Sequence, residues 1–208
     1  MHIFLNISAD LMIIQIAWET ITLERNDIED TIWPVLVDLY NKYKFTDVFL
    51  LNWPGGFTNL RVWTLALNLL NSLQNWAFDI YSISKIDFFK YFVDKNILPK
   101  KWIIYIWQKK NVRLYDFTKW NYETIKKDEI NYNDELFFDL VYEDWYFEKD
   151  WIKLSFWVEW NETKNLNKII LTYNWNDFET TIQDLNLQAE KIVQAQYFIK
   201  PIMWSQWQ

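Results

Sequence analysis

The densest set of chemistry-bearing residues is Asn52-Trp53-Pro54-Gly55-Gly56-Phe57-Thr58-Asn59-Leu60-Arg61, which holds both of the chain's glycines. It follows an apolar, strand-like run, Asp47 to Leu51, and opens a helix-like one. A Pro-Gly-Gly turn in that setting can aim backbone N–H groups and a helix dipole at an anion. No Gly-Lys-Ser/Thr follows, which excludes a P-loop. The same residues also suit a plain tight turn whose helix is capped by Thr58. Arg61, one turn in, presents a planar fork of donors to a carboxylate or carbonyl inside its own lobe, or to a partner.

Composition closes other chemistries. The 208 residues include no cysteine, which excludes disulfides, thiolate zinc sites and thiol nucleophiles. His2 is the single histidine and reads as an incidental strand residue; one imidazole cannot supply a paired-histidine metal site. Asp139, Glu143 and Asp144 could pair as acid and base, but the acid-rich stretch from Asp128 to Asp150 reads more simply as a solvated face. The expectation is therefore no catalytic residue, metal or cofactor. Lys plus Arg number 21 and Asp plus Glu 28, a net charge of −7. Phosphate contacts need a basic patch, and clusters such as Lys109-Lys110 with Arg113 are too small to hold nucleic acid unaided. Met1 to Asn6 lacks a basic signal-peptide region, and no run approaches the ~20 apolar residues of a membrane span. A soluble, cytoplasmic protein is expected.

The elements that must position the motif come in a recognisable order. Ile3 to Ile7 and Leu11 to Ala17 read as a hairpin, with Ile21 to Leu23 a third strand. Asp30-Thr31 reads as the cap of a helix, Thr31 to Tyr43, with Pro34 in its first turn. Its core positions would be Ile32, Val35, Leu36, Leu39 and Tyr43, and Trp33, Val37 and Tyr40 form a second apolar stripe. Asp47 to Leu51 reads as a buried parallel strand. A second helix, Phe57 to Gln74, has Val62, Ala66, Leu69 and Leu73 as its core face and Arg61, Thr64, Asn68, Asn71 and Asn75 as a polar stripe. A strand at Asp79 to Ile83 and a helix at Lys85 to Val93 follow. Beyond Leu98-Pro99, Trp102 to Trp107 and Val112 to Phe117 form a hairpin. Leu136 to Val141, Ile152 to Val158 and Lys168 to Tyr173 read as strands, and Asp184 to Gln196 as a closing helix. No internal repeat is visible.

Tryptophan is abnormal: 15 copies against two glycines, where glycine's usual share is about 7%. Several stand where a turn calls for glycine, as in Asn174-Trp175-Asn176-Asp177, Glu159-Trp160-Asn161-Glu162 and Lys119-Trp120-Asn121. The expectation is that Trp53, Trp63, Trp76, Trp160 and Trp175 are UGA codons that the source organism reads as glycine.

Residues 53–63, Trp-Pro-Gly-Gly-Phe-Thr-Asn-Leu-Arg-Val-Trp, resemble the Gly-Pro-Gly-Ser-Phe-Thr-Gly-Leu-Arg-Val-Gly signature of the TsaB (YeaZ) family. Pro54, Gly55, Phe57, Thr58, Leu60, Arg61 and Val62 match in register. Trp53 and Trp63 fall on signature glycines, Gly56 replaces the serine, and Asn59 replaces a glycine. Asn75-Trp76-Ala77, Ile83-Ser84-Lys85-Ile86, the hairpin within Leu98 to Tyr115, and Ala195 to Pro201 are similar to later family segments. Residues 118–190 add little.

The resemblance implies an α/β fold of the actin-like ATPase, ribonuclease H-like class. Two lobes are expected, residues 1–97 carrying the motif and a reduced second lobe, 98–208. It further implies a non-catalytic scaffold that pairs with a TsaD-like catalytic subunit and a TsaE-like ATPase in threonylcarbamoyl-adenosine modification of tRNA position 37. Alone it would form a homodimer, and it would meet tRNA only indirectly. Asn6 stands where the family's first strand carries an aspartate, which weakens any nucleotide role. Pro54, Gly55, Gly56, Phe57, Thr58 and Arg61 would be the motif, and Trp33, Val37, Tyr40, Thr64, Asn68 and Asn71 the partner interface. A stand-alone peptidase-like or ATPase-like enzyme, or a generic homodimeric interaction protein, are the alternatives.

Overall fold

Short apolar runs near the start pair with one another into a sheet. The computed structural model describes residues 1–7, 11–24, 28–53, 57–96, 98–105, 111–130, 136–138, 166–167 and 175–195. The chain forms two compact units, Met1–Asp87 with Asn186–Gln208, and Phe88–Leu185. The division thus falls inside a helix, ahead of the 97/98 boundary that the sequence suggested, and the chain end belongs to the first unit.

In the first unit, β1 (His2–Asn6), β2 (Leu11–Ile16) and β3 (Glu19–Glu24) form an antiparallel meander. Helix α1 (Ile28–Tyr43) leads to β4 (Asp47–Trp53), and α2 (Phe57–Leu73) leads to β5 (Asp79–Ser84). The sheet order is β3-β2-β1-β4-β5, with β4 parallel to both β1 and β5. Helix α3 (Lys85–Asp94) follows directly. The expected strands and helices therefore form, with one shift at α1. Ile28, only 2% exposed, draws an extra turn into the core, so α1 starts before the expected Asp30-Thr31 cap and Pro34 lies inside it.

Ile3, Leu5, Ile14, Val48 and Leu50 cluster with Ile32, Leu36 and Leu39 of α1 and with Leu60, Leu67 and Leu70 of α2. Burying one such side chain contributes about 1.5–3 kcal/mol. Phe4 and Phe49, stacked at 5.8 Å, are buried too, so the central strands are apolar on alternate and intervening positions, as parallel strands usually are. Trp63 is fully buried on α2, its Nε1–H 2.6 Å from Met12 Sδ, a tight approach for a sulfur acceptor.

The second unit holds β6 (Lys101–Tyr105), β7 (Asn111–Asp116), β8 (Asn121–Lys126), a 3₁₀ turn (Lys127–Glu129), β9 (Leu136–Phe138), β10 (Leu166–Asn167) and α4 (Trp175–Asp184). Its sheet order is β10-β9-β6-β7-β8. The core is aromatic: Trp102 lies edge-on to Phe89 at 5.0 Å and stacks on Phe117 at 6.3 Å. Tyr91 Oη–H and Lys95 Nζ each donate to Asp184 at 2.7 Å, tying α3 to the end of α4.

Two expectations are corrected here. Asn174 to Asp177 is not a hairpin turn, because Trp175 opens α4. The closing helix does not run from Asp184 to Gln196; α4 ends there, and Asn186 at φ 48° takes the left-handed conformation that stops a helix. The expected strands at Ile152 to Val158 and Lys168 to Tyr173 lie outside the described residues, as do Asp139, Glu143, Asp144 and Trp160.

Candidate functional site

The motif sits at the predicted junction: β4 ends at Trp53 and α2 begins at Phe57. Pro54, Gly55 and Gly56 lie outside the described residues, and the side chains of Phe57 and Thr58 are likewise not described. Arg61 is exposed, one turn into α2. Leu60 and Trp63 point inward to the core, which leaves Arg61 outward by helix geometry.

Around this junction the parallel strands end in buried polar residues rather than in acids. Asn6 pairs in register with Leu51, and Asn52 is fully buried next to it. Asn52 Nδ2 donates to Gln194 O at 2.8 Å and to Ser82 Oγ at 3.3 Å, while its buried Oδ1 has no partner among the described residues. Ser84 caps α3: its hydroxyl oxygen accepts from Asp87 N–H at 3.0 Å and donates to the Asp87 carboxylate at 2.6 Å. Lys85, the first residue of that helix, is almost wholly buried. Among the described residues no group of three or more His, Cys, Asp or Glu is placed to hold a metal ion. No described helix is long and apolar enough to cross a membrane.

The polar stripe expected to meet a partner is instead used within the unit. Asn68 clamps Val193 through both amide atoms, donating to its carbonyl at 2.8 Å and accepting its N–H at 2.9 Å. Asn71, fully buried, donates to Phe78 O and Lys191 O and accepts from Phe78 N–H at 3.1 Å. Thr64 is buried and donates to Leu60 O at 2.8 Å. Together with Asn52 and the Ile80–Glu190 bridge, these residues strap Glu190 to Gln194 against the first unit, with Val193 entering the core.

Tyr40 is also core, edge-on to Phe45 at 5.2 Å. Trp33 and Val37 are half-buried and packed against the same cluster. The second apolar stripe of α1 is therefore not an outward face.

The outward apolar face lies on α2, rotated from the one expected. Leu65, Leu69 and Leu73 are 63%, 51% and 60% exposed and recur every four residues, in line with Arg61. Leu69 and Leu73 were expected in the core. Counting apolar positions misassigned them because the asparagines, polar in isolation, are drawn inward by the backbone of residues 190–194. A row of exposed leucines with no charge but Arg61 on its helix is the kind of patch that marks a binding surface.

The fold is that of a mixed α/β protein, with a row of exposed leucines on the helix that follows the strand-to-helix junction. No protein-family model matches the sequence, and no curated protein matches it. Among solved structures, YeaZ from Pseudomonas aeruginosa is similar at 10% identity and a TM-score of 0.37, over 62% of this chain and 68% of that one. A second, an uncharacterised protein with similarity to peptidase YeaZ from Pseudomonas aeruginosa, is similar at 9% identity and a TM-score of 0.45, over 94% of this chain and 99% of that one. Both carry the name of the family whose signature residues 53–63 resemble; at these identities and TM-scores neither similarity bears on what this chain is or does.

Proposed function

We propose that this chain is a non-catalytic scaffold of the TsaB (YeaZ) type, with an actin-like, ribonuclease H-like fold, working in the cytoplasm. It pairs with a TsaD-like catalytic subunit, together with a TsaE-like ATPase, in threonylcarbamoyl-adenosine modification of tRNA. The observation that carries the reading is the signature-like segment at a strand-to-helix junction whose helix presents an uncovered leucine face. The strand order of the first unit, an antiparallel meander continued by parallel strands with helical connections, supports the fold assignment. The absence of a carboxylate from Asn6 and Asn52 supports a scaffold rather than a nucleotide hydrolase, because magnesium prefers carboxylate oxygens.

The partner surface in this proposal is Arg61, Leu65, Leu69 and Leu73 of α2, with a second copy of the chain covering it when the catalytic subunit is missing. Trp53 and Trp63 are read as signature glycines translated from UGA.

The test is reconstitution of threonylcarbamoyl transfer to tRNA from purified subunits and ATP. Omitting this chain should abolish transfer and adding it back should restore it. Transfer that proceeds equally well without the chain would overturn the proposal. ATP hydrolysis or peptide cleavage by the pure chain, lost on changing one of its own residues, would favour the stand-alone enzyme instead.

A further inference from the structure

Seven non-glycine residues among those described have positive φ, and two of them are tryptophans: Trp76 at 60° and Trp120 at 53°. Three others are asparagines, the residue that best tolerates this region after glycine, and the remaining two are Ala17 and Lys44. A bulky aromatic residue gains nothing from a left-handed backbone and suffers the clash between its Cβ and the following carbonyl.

Trp120 also occupies a place that turn chemistry ordinarily gives to a residue without a Cβ, and Trp76 lies one residue past such a place. At the end of α2 the Asn75 N–H donates to Ser72 O at 3.1 Å, and the Trp76 N–H donates to Asn71 O at 2.7 Å. This is the paired closure of a helix C-terminus, but here the left-handed stretch runs through two residues, Asn75 and then Trp76. Between β7 and β8, Asp116 pairs with Asn121, leaving residues 117–120 as the hairpin loop. Asp116 organises the loop: its Oδ1 accepts from the Thr118 N–H at 2.8 Å and its carbonyl accepts from the Lys119 N–H at 3.2 Å. The left-handed residue that returns such a loop to its strand is ordinarily glycine, and here it is Trp120.

Other tryptophans behave as tryptophans. Trp102 is fully buried against Phe89 and Phe117, and Trp33 packs on the core of the first unit. Trp76 and Trp120, by contrast, are 42% and 55% exposed. With two glycines in the whole chain, both at positions 55 and 56, no glycine serves any of the seven positive-φ sites.

We infer that residues 76 and 120 are glycine in the protein as its source organism makes it, and that residues 33 and 102 are tryptophan there. The tryptophans at 76 and 120 come from UGA codons read as glycine in the cell. The inference rests on backbone geometry and packing and is independent of any family assignment. In the native chain the apolar face of α2 then ends at Leu73, without an indole at its rim.

Peptide mass spectrometry of the protein purified from its source organism reads these positions directly. Glycine at 76 and 120 together with tryptophan at 33 and 102 is the expected result. Tryptophan at 76 and 120, or UGG codons there, would overturn the inference. A second measurement uses the recombinant 208-residue chain. Trp76→Gly and Trp120→Gly should each raise the folded-to-unfolded ratio about tenfold, whereas Trp102→Gly should lower it by a hundredfold or more. If Trp76→Gly and Trp120→Gly lower the ratio as Trp102→Gly does, the tryptophans are structural and the inference fails.

Discussion

In the first unit the antiparallel strands β3, β2 and β1 lead through parallel β4 to β5; in the second, β8, β7 and β6 lead through parallel β9 to β10. The two sheets share one wiring, although the sequence shows no repeat. They differ in what fills and covers them. Residues 25–46 of the first unit include the sixteen-residue α1, whereas the corresponding connection in the second, residues 127–135, has only a 3₁₀ turn among its described residues. The first core is mostly Ile, Leu and Val, with Tyr40, Phe45, Trp63 and Phe78 among them, whereas the described core of the second centres on Trp102 with Phe89, Tyr115 and Phe117. Wiring depends on the order of strands and the room between them, while the residues inside are free to diverge so long as volume is filled. The first unit has in addition a strap from the chain end, held by side-chain amides.

The largest effect is expected where the aromatic core is broken. Trp102→Ala should destabilise the protein by about 3–5 kcal/mol, read from a urea transition. A cost below ~1 kcal/mol would mean that this ring cluster does not hold the second unit together. In the first unit the sharpest probe is Asn71→Leu, which leaves the Lys191 carbonyl and the Phe78 N–H without the Asn71 amide and the Phe78 carbonyl with only the longer bond from Lys191 Nζ, at 3.4 Å. We expect a loss of about 2–4 kcal/mol, since buried polar groups left unpaired cost about 1–3 kcal/mol each. Asn68→Ala should cost less, about 1–2 kcal/mol, because its site is half-buried. It should speed hydrogen exchange at the Val193 amide selectively, and unchanged exchange there would show that the strap does not depend on the clamp.

The smallest effects are electrostatic. Burial pushes the Asp116 carboxyl up, but the Thr118 hydroxyl and N–H and the nearby Lys119 outweigh it and hold it below the ordinary 3.8. A carboxylate whose folded pKa is depressed stabilises the fold above its unfolded pKa, and the contribution is lost as pH falls through the folded one. Acid titration should therefore loosen the β7–β8 loop only below about pH 4, and Asp116→Asn should remove that dependence. Lys95 and Asp184 shift each other in opposite senses, Lys95 upward and Asp184 downward, chiefly through their mutual hydrogen bond. Both are well exposed, so Asp184→Asn should change overall stability only slightly.

Much of the first unit was legible in the sequence because its elements are long and locally encoded. The run Asp47 to Leu51 and the apolar positions after Phe57 specify strand and helix in that order. What could not be read was which face of α2 points inward. Asn68 and Asn71 look like solvent residues until residues 190–194, more than a hundred positions away, supply the carbonyls and the N–H they bond. Tyr40 was misread for the same reason: Phe45 and Phe78 fold back to enclose it. The strand β8 was missed because its residues are mostly exposed and polar and alternate too weakly to signal a sheet edge. At the motif, the sequence located the junction and Arg61, but the leucine face beside it emerged only once the helix was rotated into place.

Pairing through that face of α2 is the centre of the proposed function. The most direct measurement is the affinity of the 208-residue chain for the proposed TsaD-like subunit, with Leu69→Glu compared with the unaltered chain by light scattering and titration. Leu69→Glu should keep the circular dichroism and urea midpoint of the parent, since its side chain is half exposed, and should weaken pairing by about 2 kcal/mol or more. A folded Leu69→Glu chain that pairs as tightly as the parent would contradict the proposal.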